Sequence, residues 1–323
     1  MKRYDLVTFG ENMIRLSTQN YERLEQAQVL DFRHGGTEAN VAVGLARLGY
    51  QTAWVSRLTA NALGRKIERD LATWGVDTSR VVWTNEGRIG TFFLEVGSAP
   101  RASAVLYDRR DSSMSRMTVD DFPWEMLNEA NWLHLTGITT AISGSCRALV
   151  EEAMRRAHDA GLTVSYDVNY RARLWTPQEA QAVIAPLCCD ADMVFMKQAD
   201  IERLFGIRGA SPEDTLRQLA NRFARKVVAM TLGAQGAIAC DKQSGQIYHG
   251  EAHTIAHIVD RVGAGDAFAA GFIAGYLEAG IAKGVRMGNA MAALKLTIQG
   301  DYALVARPEV EELMAGNAGG ISR

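Results

Sequence analysis

The nine residues Asp260–Phe268, DRVGAGDAF, place a carboxylate directly after a glycine-rich turn. Gly263, Ala264 and Gly265 lead into Asp266, and the small and apolar residues Ala267, Phe268, Gly271, Phe272 and Gly275 read as one side of a helix. Backbone N–H groups at a helix N-terminus lack intrahelical partners, so they suit phosphate oxygens, and glycine lets a ligand approach the backbone closely. A carboxylate beside a bound phosphate repels it and does nothing for binding alone. It has a purpose if Asp266 accepts the proton of a hydroxyl that attacks that phosphate. The chemistry predicted is phosphoryl transfer to an alcohol. The competing reading is a glycine turn that caps a structural helix, with Asp266 complementing the helix dipole.

A second glycine element lies upstream. GGTEANVAVGLARLG, Gly35 to Gly49, opens on a Gly pair and runs into a helix with Asn40 in its first turns. Such a pair permits positive φ and close approach of a ligand to the backbone.

The elements that carry these motifs follow one rhythm: a short apolar run, a turn, then a helical period. Strands are expected at Asp5–Gly10, Thr52–Leu58, Trp132–Gly137, Leu162–Asp167, Met193–Met196 and Val227–Gly233. Helices are expected over Glu38–Leu48 and Ser145–Ala160, each stopped by a glycine, Gly49 and Gly161. Continuous apolar strands alternating with amphipathic helices predict an α/β fold, a mostly parallel sheet with helices on both faces. Ligands on such sheets sit beyond the carboxyl ends of the strands. Two insertions replace the helical period by alternation: Asn12–Thr18 with Val29–His34, and Gly90–Val96 with Ala104–Arg110. We expect a small β lid from about 12–34 and 88–111 on one compact domain, the alternative being an edge extension of the main sheet. Gly236–Asp241 and Gln246–Gly250 read as a late hairpin.

With 323 residues, 47% hydrophobic and 22% charged, the chain has the make-up of a soluble globular protein. A net charge of -2 gives no basic field for nucleic acid and no polybasic membrane patch. No apolar run approaches the roughly 20 residues of a membrane span, and the N-terminus does not read as a signal peptide. Cys146, Cys188, Cys189 and Cys240 lack metal spacing and read as reduced thiols of a cytoplasmic protein, and the six histidines show no metal spacing either.

The Gly pair and the downstream GAGD together resemble the two signatures of the ribokinase-like (PfkB) carbohydrate kinases, and the resemblance spans nearly the whole chain, lid strands included. It implies that Gly35, Gly36 and Asn40 contact the sugar, that Gly263, Ala264 and Gly265 form an anion hole for the transferring phosphate, and that Asp266 is the catalytic base, itself touching substrate. YDVNYRARLW (Tyr166–Trp175), GGTEAN and TIQGD look like those of 2-keto-3-deoxygluconate kinases. That likeness implies ATP-dependent phosphorylation of a sugar-acid hydroxyl, the 6-hydroxyl of 2-keto-3-deoxygluconate. It assigns Asn169 and Arg171 to the junction of nucleotide and substrate, Tyr107 and Arg109 to the sugar acid, and Asp301 to a substrate hydroxyl. Thr231, Gly233 and Gly236, with Gly263 and Gly265, would hold ATP, and Asn289 would close the adenine pocket. Asp200 would orient magnesium through a water. The implied partners are a small sugar acid and ATP, and a homo-oligomer formed through the lid or a sheet edge.

The residue types support an acidic substrate separately. A sugar acid calls for a cation facing its carboxylate, and arginine supplies a bidentate fork. Arg109 and Arg171 lie where a ligand would be covered; Arg15, where neutral-sugar relatives often carry Asp, suits the same anion. The competing readings are a solvated Arg109–Arg110 pair on the lid edge and a solvent-facing Arg15. The chain departs from the family at Arg261, where Thr usually follows the first Asp, which tells against a monovalent-cation site. It departs again at Lys197-Gln198-Ala199-Asp200, where a neutral amide and Glu are usual, and at Phe92, where keto-acid kinases place Tyr. Three rivals remain open: a neutral-sugar kinase such as one for fructose, a non-catalytic nucleotide- or sugar-binding regulator, and, weakest, a Rossmann dehydrogenase, whose GxGxxG is missing after the first strand.

Overall fold

In the computed structural model, which describes residues 2–316, parallel strands Leu6–Phe9, Thr52–Val55, Val76–Asp77, Trp132–Thr136, Thr163–Asp167, Met193–Lys197 and Val227–Thr231 form most of one nine-stranded sheet. The hairpin Ala237–Asp241 and Ile247–Gly250 extends it antiparallel at one edge. Successive side chains of a strand point to opposite faces, and here each face has its own core. Val7, Val194 and Val228 face Leu149, Ile184 and Leu216 of the helices on one side. Leu6, Phe195 and Ala229 face Val41, Phe268 and Phe272 on the other. The predicted strand at Thr52–Leu58 is two strands: after Ser56 the chain leaves the main sheet, and Arg57–Thr59 pairs with Val82–Thr84 instead.

The expected inserted strands form a four-stranded sheet of their own, Met13–Thr18, Leu30–Gly35, Thr91–Glu95 and Ala104–Asp108. Its inner face carries Met13, Phe92 and Leu94 with Val105 and Tyr107 packed on them. This cluster is separate from the cores of the main sheet.

Going outward from Leu6–Phe9, Thr52–Val55 lies on one side and Trp132–Thr136 on the other, so strand order reverses at this point. The crevice beyond the carboxyl ends of two such strands is where α/β sheets bind ligands. Glu11, Thr136, Asp167, Lys197 and Thr231 all stand at or just past the carboxyl ends of adjacent strands, with Thr136 in register with Asp167 and Lys197 with Thr231.

Candidate active site

The GAGD turn opens the helix Ala264–Ala279 as the sequence predicts. Gly263 has φ 85°, a left-handed conformation, and a methyl there would overlap the Asp301 carbonyl, so only glycine fits. Gly265 has open space around it. Asp266 sits in the first turn with 7% of its surface exposed.

The two glycine motifs meet at this carboxylate. Thr37 Oγ1 donates to Asp266 Oδ1 at 2.5 Å and Asn40 Nδ2 donates to Oδ2 at 2.6 Å, both from the helix Thr37–Arg47. Asn169 Nδ2 reaches Thr37 Oγ1 at 2.8 Å and Asp266 Oδ1 at 3.4 Å. Asn169 is a non-glycine residue at φ 38°, and its amides are held by Asp167. A backbone conformation disfavoured for side-chain-bearing residues is kept here by four hydrogen bonds.

Around Asp266 stand two more carboxyls. Burial, then the Asp266 charge, push the Asp167 carboxyl up to about 7, with Lys197 and Arg171 pulling the other way. Glu38 is wholly buried; Thr136 and Thr139 hydroxyls donate to its Oε1 at 2.6 and 2.5 Å, while Oε2 has no partner. Burial pushes Glu38 up to about 7 as well. Both groups therefore hold their protons to well above the ordinary carboxylate range, which limits the negative charge crowded around the Asp266 side chain.

Packing of the chain on itself also calls for the glycine pair. Neither Gly35 nor Gly36 has positive φ; Gly36 is extended at φ -166°. What approaches them is protein: a methyl on Gly35 would overlap the Asp301 carboxylate, and one on Gly36 the Glu11 carbonyl.

Arg15 neither points to solvent nor toward a ligand. It is 1% exposed, and its guanidinium pairs with Asp260 at 2.5 Å and Asp301 at 2.6 Å. Two carboxylates on adjoining loops need such a cation to be buried together. Asp301 is thereby engaged through Oδ1, while no protein donor among the described residues reaches Oδ2, which faces Gly35. Burial still pushes the Asp301 carboxyl up to about 6 against the pull of Arg15.

Arg109 lies just past the strand Ala104–Asp108 and its Nε and Nη2 both donate to Glu11 Oε2, the former at 2.8 Å. It is not a solvated lid-edge charge, since its side chain is 10% exposed, nor is its fork free, as the sequence reading required. Nη1 makes no bond to Glu11, and Glu11 Oε1 has no partner among the described residues. Tyr107 is half-buried beside it, its ring 5.8 Å from the guanidinium carbon.

On the other flank, Asn289 Nδ2 donates to the carbonyls of Gly250 and Glu251 at 2.6 and 3.1 Å and abuts Gly236, which has φ 86°. Gly233 at φ 63° has open space around it, and Thr231 ends its strand. Arg171 donates to the carbonyls of Asn169 and Tyr170 and, with Lys197, exerts its charge on both Asp167 and Asp200. Asp200 is buried in the first turn of Gln198–Phe205, and burial raises its carboxyl despite those cations. No three His, Cys, Asp or Glu side chains among the described residues form a metal cage. A magnesium ion here would take waters and phosphate oxygens with one carboxylate, the arrangement that ion favours.

Residues 3–306 match the sequence pattern described as pfkB family carbohydrate kinase. The chain belongs to this family. Carbohydrate kinase relatives of known name extend over its full length. A 2-dehydro-3-deoxygalactonokinase of Haloferax volcanii is 37% identical over 321 residues, 99% of each chain. A 2-dehydro-3-deoxygluconokinase of Bacillus subtilis is 34% identical over 305 residues, 93% of this chain and 91% of the relative. The crystal structure of 2-dehydro-3-deoxygluconokinase from Thermotoga maritima superposes with a TM-score of 0.90 at 36% identity, covering 96% of this chain and 99% of that one.

Several residues of the kinase site escaped sequence reading. Thr37, between the glycine pair and Asn40, carries the signal of a hydroxyl at a helix start. Asp167 ends a buried strand, where a carboxylate out of keeping with an apolar run is its only mark in the sequence. Glu11 and Glu38 gave no spacing signal, because their partners Arg109, Thr136 and Thr139 are about 100 positions away.

Proposed function

We propose that this carbohydrate kinase transfers the γ-phosphate of ATP to the 6-hydroxyl of a 2-dehydro-3-deoxy sugar acid, 2-dehydro-3-deoxygluconate first among them. The observation that carries the reading is the junction at Asp266, where a helix-start anion site and the sugar-side helix share one carboxylate. Asp266 accepts the proton as the hydroxyl attacks; Thr37, Asn40 and Asn169 aim it. The amides of Gly263, Ala264 and Gly265 take the phosphate oxygens. Gly35, Gly36, Asp301 Oδ2 and Tyr107 line the sugar side, with Arg171 at the junction. Thr231, Gly233, Gly236 and Asn289 line the nucleotide side. Magnesium would supply positive charge to the ATP phosphates, and Asp200 would hold it through a water.

Arg109 is the group assigned to the sugar carboxylate. Its unengaged Nη1, beside the unpartnered Glu11 Oε1, is a donor next to an acceptor, which fits a carboxylate next to a hydroxyl. A second reading rests on the same pair: Glu11 already neutralises Arg109, which would leave the site to a neutral sugar such as fructose. A panel of sugar acids and neutral sugars, with ATP consumption and product mass recorded, separates the two. Phosphorylation of 2-dehydro-3-deoxygluconate or its galacto epimer is expected, and Arg109→Ala should lower kcat/KM for the acid by roughly tenfold to a hundredfold, since charge-assisted bonds are worth about 1.5–3 kcal/mol. If the acid-to-neutral ratio of specificity constants stays put in Arg109→Ala, the neutral-sugar reading stands.

The outward face of the small sheet supports self-association of the kinase. Cross-strand register puts Phe32, Leu16, Phe93 and Leu106 in one row across all four strands, and Phe32 and Leu106 are 43% and 55% exposed. An apolar row of this kind is the feature a second copy covers.

A further inference from the structure

The apolar stretch AMAALKL holds one cation, Lys295, and the fold buries it completely. Its ammonium makes no ion pair among the described residues. It donates to two backbone carbonyls, Asp260 at 3.0 Å and Ile298 at 3.1 Å. These carbonyls belong to the two chain segments that build the GAGD turn from below. The Asp260 carboxylate accepts from the amides of Val262 and Gly300 at 3.0 Å each. The amides of Val259 and Asp260 return to the Leu296 carbonyl. The Asp301 carbonyl packs against Gly263. Segment 259–263 and segment 297–301 are thus tied by the Lys295 ammonium through their backbone carbonyls and by Arg15 through the Asp260 and Asp301 carboxylates, with the anion-site glycine between them.

A lysine is seldom fully buried, because its charge is costly to remove from water. Leu or Met would fill the same space at no such cost. The two carbonyls explain the choice, since a neutral side chain would leave both without a donor. Burial lowers the Lys295 pKa, while Asp260, Asp301 and Asp266 act through space to keep the proton on. In size and charge, an ammonium among carbonyl oxygens does what a monovalent ion does in an oxygen cage.

We propose that Lys295 is a built-in cation that positions the anion-hole turn, making phosphoryl transfer independent of any added monovalent ion. It is a positioning residue, and the proposal rests on the Gly263–Asp266 turn being the reacting centre. The departure at Arg261 fits, because a turn with its own ammonium does not need a site for a free one.

The first test is wild-type turnover, on whichever sugar is phosphorylated fastest, with potassium, ammonium or choline as the only monovalent cation. Rates within about twofold of one another are expected, against the tenfold scale on which a lost electrostatic donor acts; activation by potassium of about tenfold or more overturns the proposal. Lys295→Met keeps length and removes charge, so turnover should fall by about 10- to 100-fold with the sugar KM within roughly threefold. Lys295→Ala leaves room, and potassium or methylammonium should raise its turnover while choline, too large, does not. Near-wild-type turnover in Lys295→Met, or no response of Lys295→Ala to any small cation, overturns the proposal. Hydrogen exchange needs no sugar: amides 262–266 should exchange roughly tenfold faster in Lys295→Met, the local loss of protection expected when a clamp is removed. Unchanged exchange there refutes the positioning role. A wild type that phosphorylates no sugar defeats the functional reading instead, and the exchange result then decides on Lys295. If neither variant folds, the wild-type cation series decides.

Discussion

Asp266 receives hydrogen bonds from a hydroxyl and an amide, and this mixture sets what a substitution can reveal. In Asp266→Asn the new amide can face Thr37, whose hydroxyl also accepts, leaving the new carbonyl toward Asn40. The site should therefore keep its shape and lose only the proton acceptor. Turnover is expected to fall about 10²–10⁴-fold, the usual worth of a general base, with the ATP dissociation constant within roughly threefold. Turnover near wild type would remove Asp266 from the chemistry. Glu38 gives a second prediction, on stability. Its folded carboxyl titrates near 7 against an ordinary 4.5, because burial disfavours the charge. The folded state thus binds the extra proton between these values, and stability falls as pH rises from 4.5 through 7. At 1.36 kcal/mol per unit the ceiling is about 3 kcal/mol. Glu38→Gln cannot titrate, so its stability relative to wild type should rise by about 1–3 kcal/mol between pH 5 and 8, read by urea unfolding. A difference that does not vary with pH would count against a neutral Glu38.

At the scale of elements, most of the fold was legible because short apolar runs and helical periods are local signals. The strands Trp132–Thr136 and Val227–Thr231, the helix after Gly263 and the inserted strands lie within a few residues of their expected places. The break at Ser56 was not legible, since it depends on a partner strand about 25 positions later. Long-range partners also explain the misread residues. Arg15 is a cation on a strand that would look exposed, and only Asp260 and Asp301, 245 and 286 positions on, show it to be internal. The glycine pair reads as ligand space in the sequence, and Asp301 and the Glu11 carbonyl add a packing reason that only the fold shows. Gly36→Ala tests that packing reason. Its extended backbone suits alanine, so any loss comes from overlap with the Glu11 carbonyl, which backbone atoms cannot swing away from. We expect about 1–3 kcal/mol of destabilisation, the usual cost of overpacking, together with displacement of Glu11 and hence of Arg109. A variant as stable as wild type would show that packing against Glu11 does not require glycine at position 36.

The molecule as a whole divides the work between a rigid platform and a lighter cover. The main sheet is cored on both faces, and the groups proposed to react stand on its strand ends and on the helices packed against it. The small sheet has its own minor cluster around Met13, Phe92 and Leu94, and reaches the platform's site through polar links. Glu11 to Arg109 is one, and Asn12 to Tyr302 at 2.8 Å is another. Ile14 joins the small sheet to the cluster of Ala39, Val43 and Trp54, so the strands Thr91–Glu95 and Ala104–Asp108 are the part expected to open at low free energy. Closing it over bound sugar and ATP would exclude water that otherwise competes for the phosphate. Hydrogen exchange should therefore slow in Leu30–Gly35, Thr91–Glu95 and Ala104–Asp108 when sugar acid and a non-hydrolysable ATP analogue are both present, by about tenfold or more. Either ligand alone should protect less, because Arg109 and Tyr107 are proposed to meet the sugar and the glycine turns the nucleotide. Protection confined to segments 231–236 and 262–266, with the small sheet unchanged, would show a fixed wall rather than a moving cover.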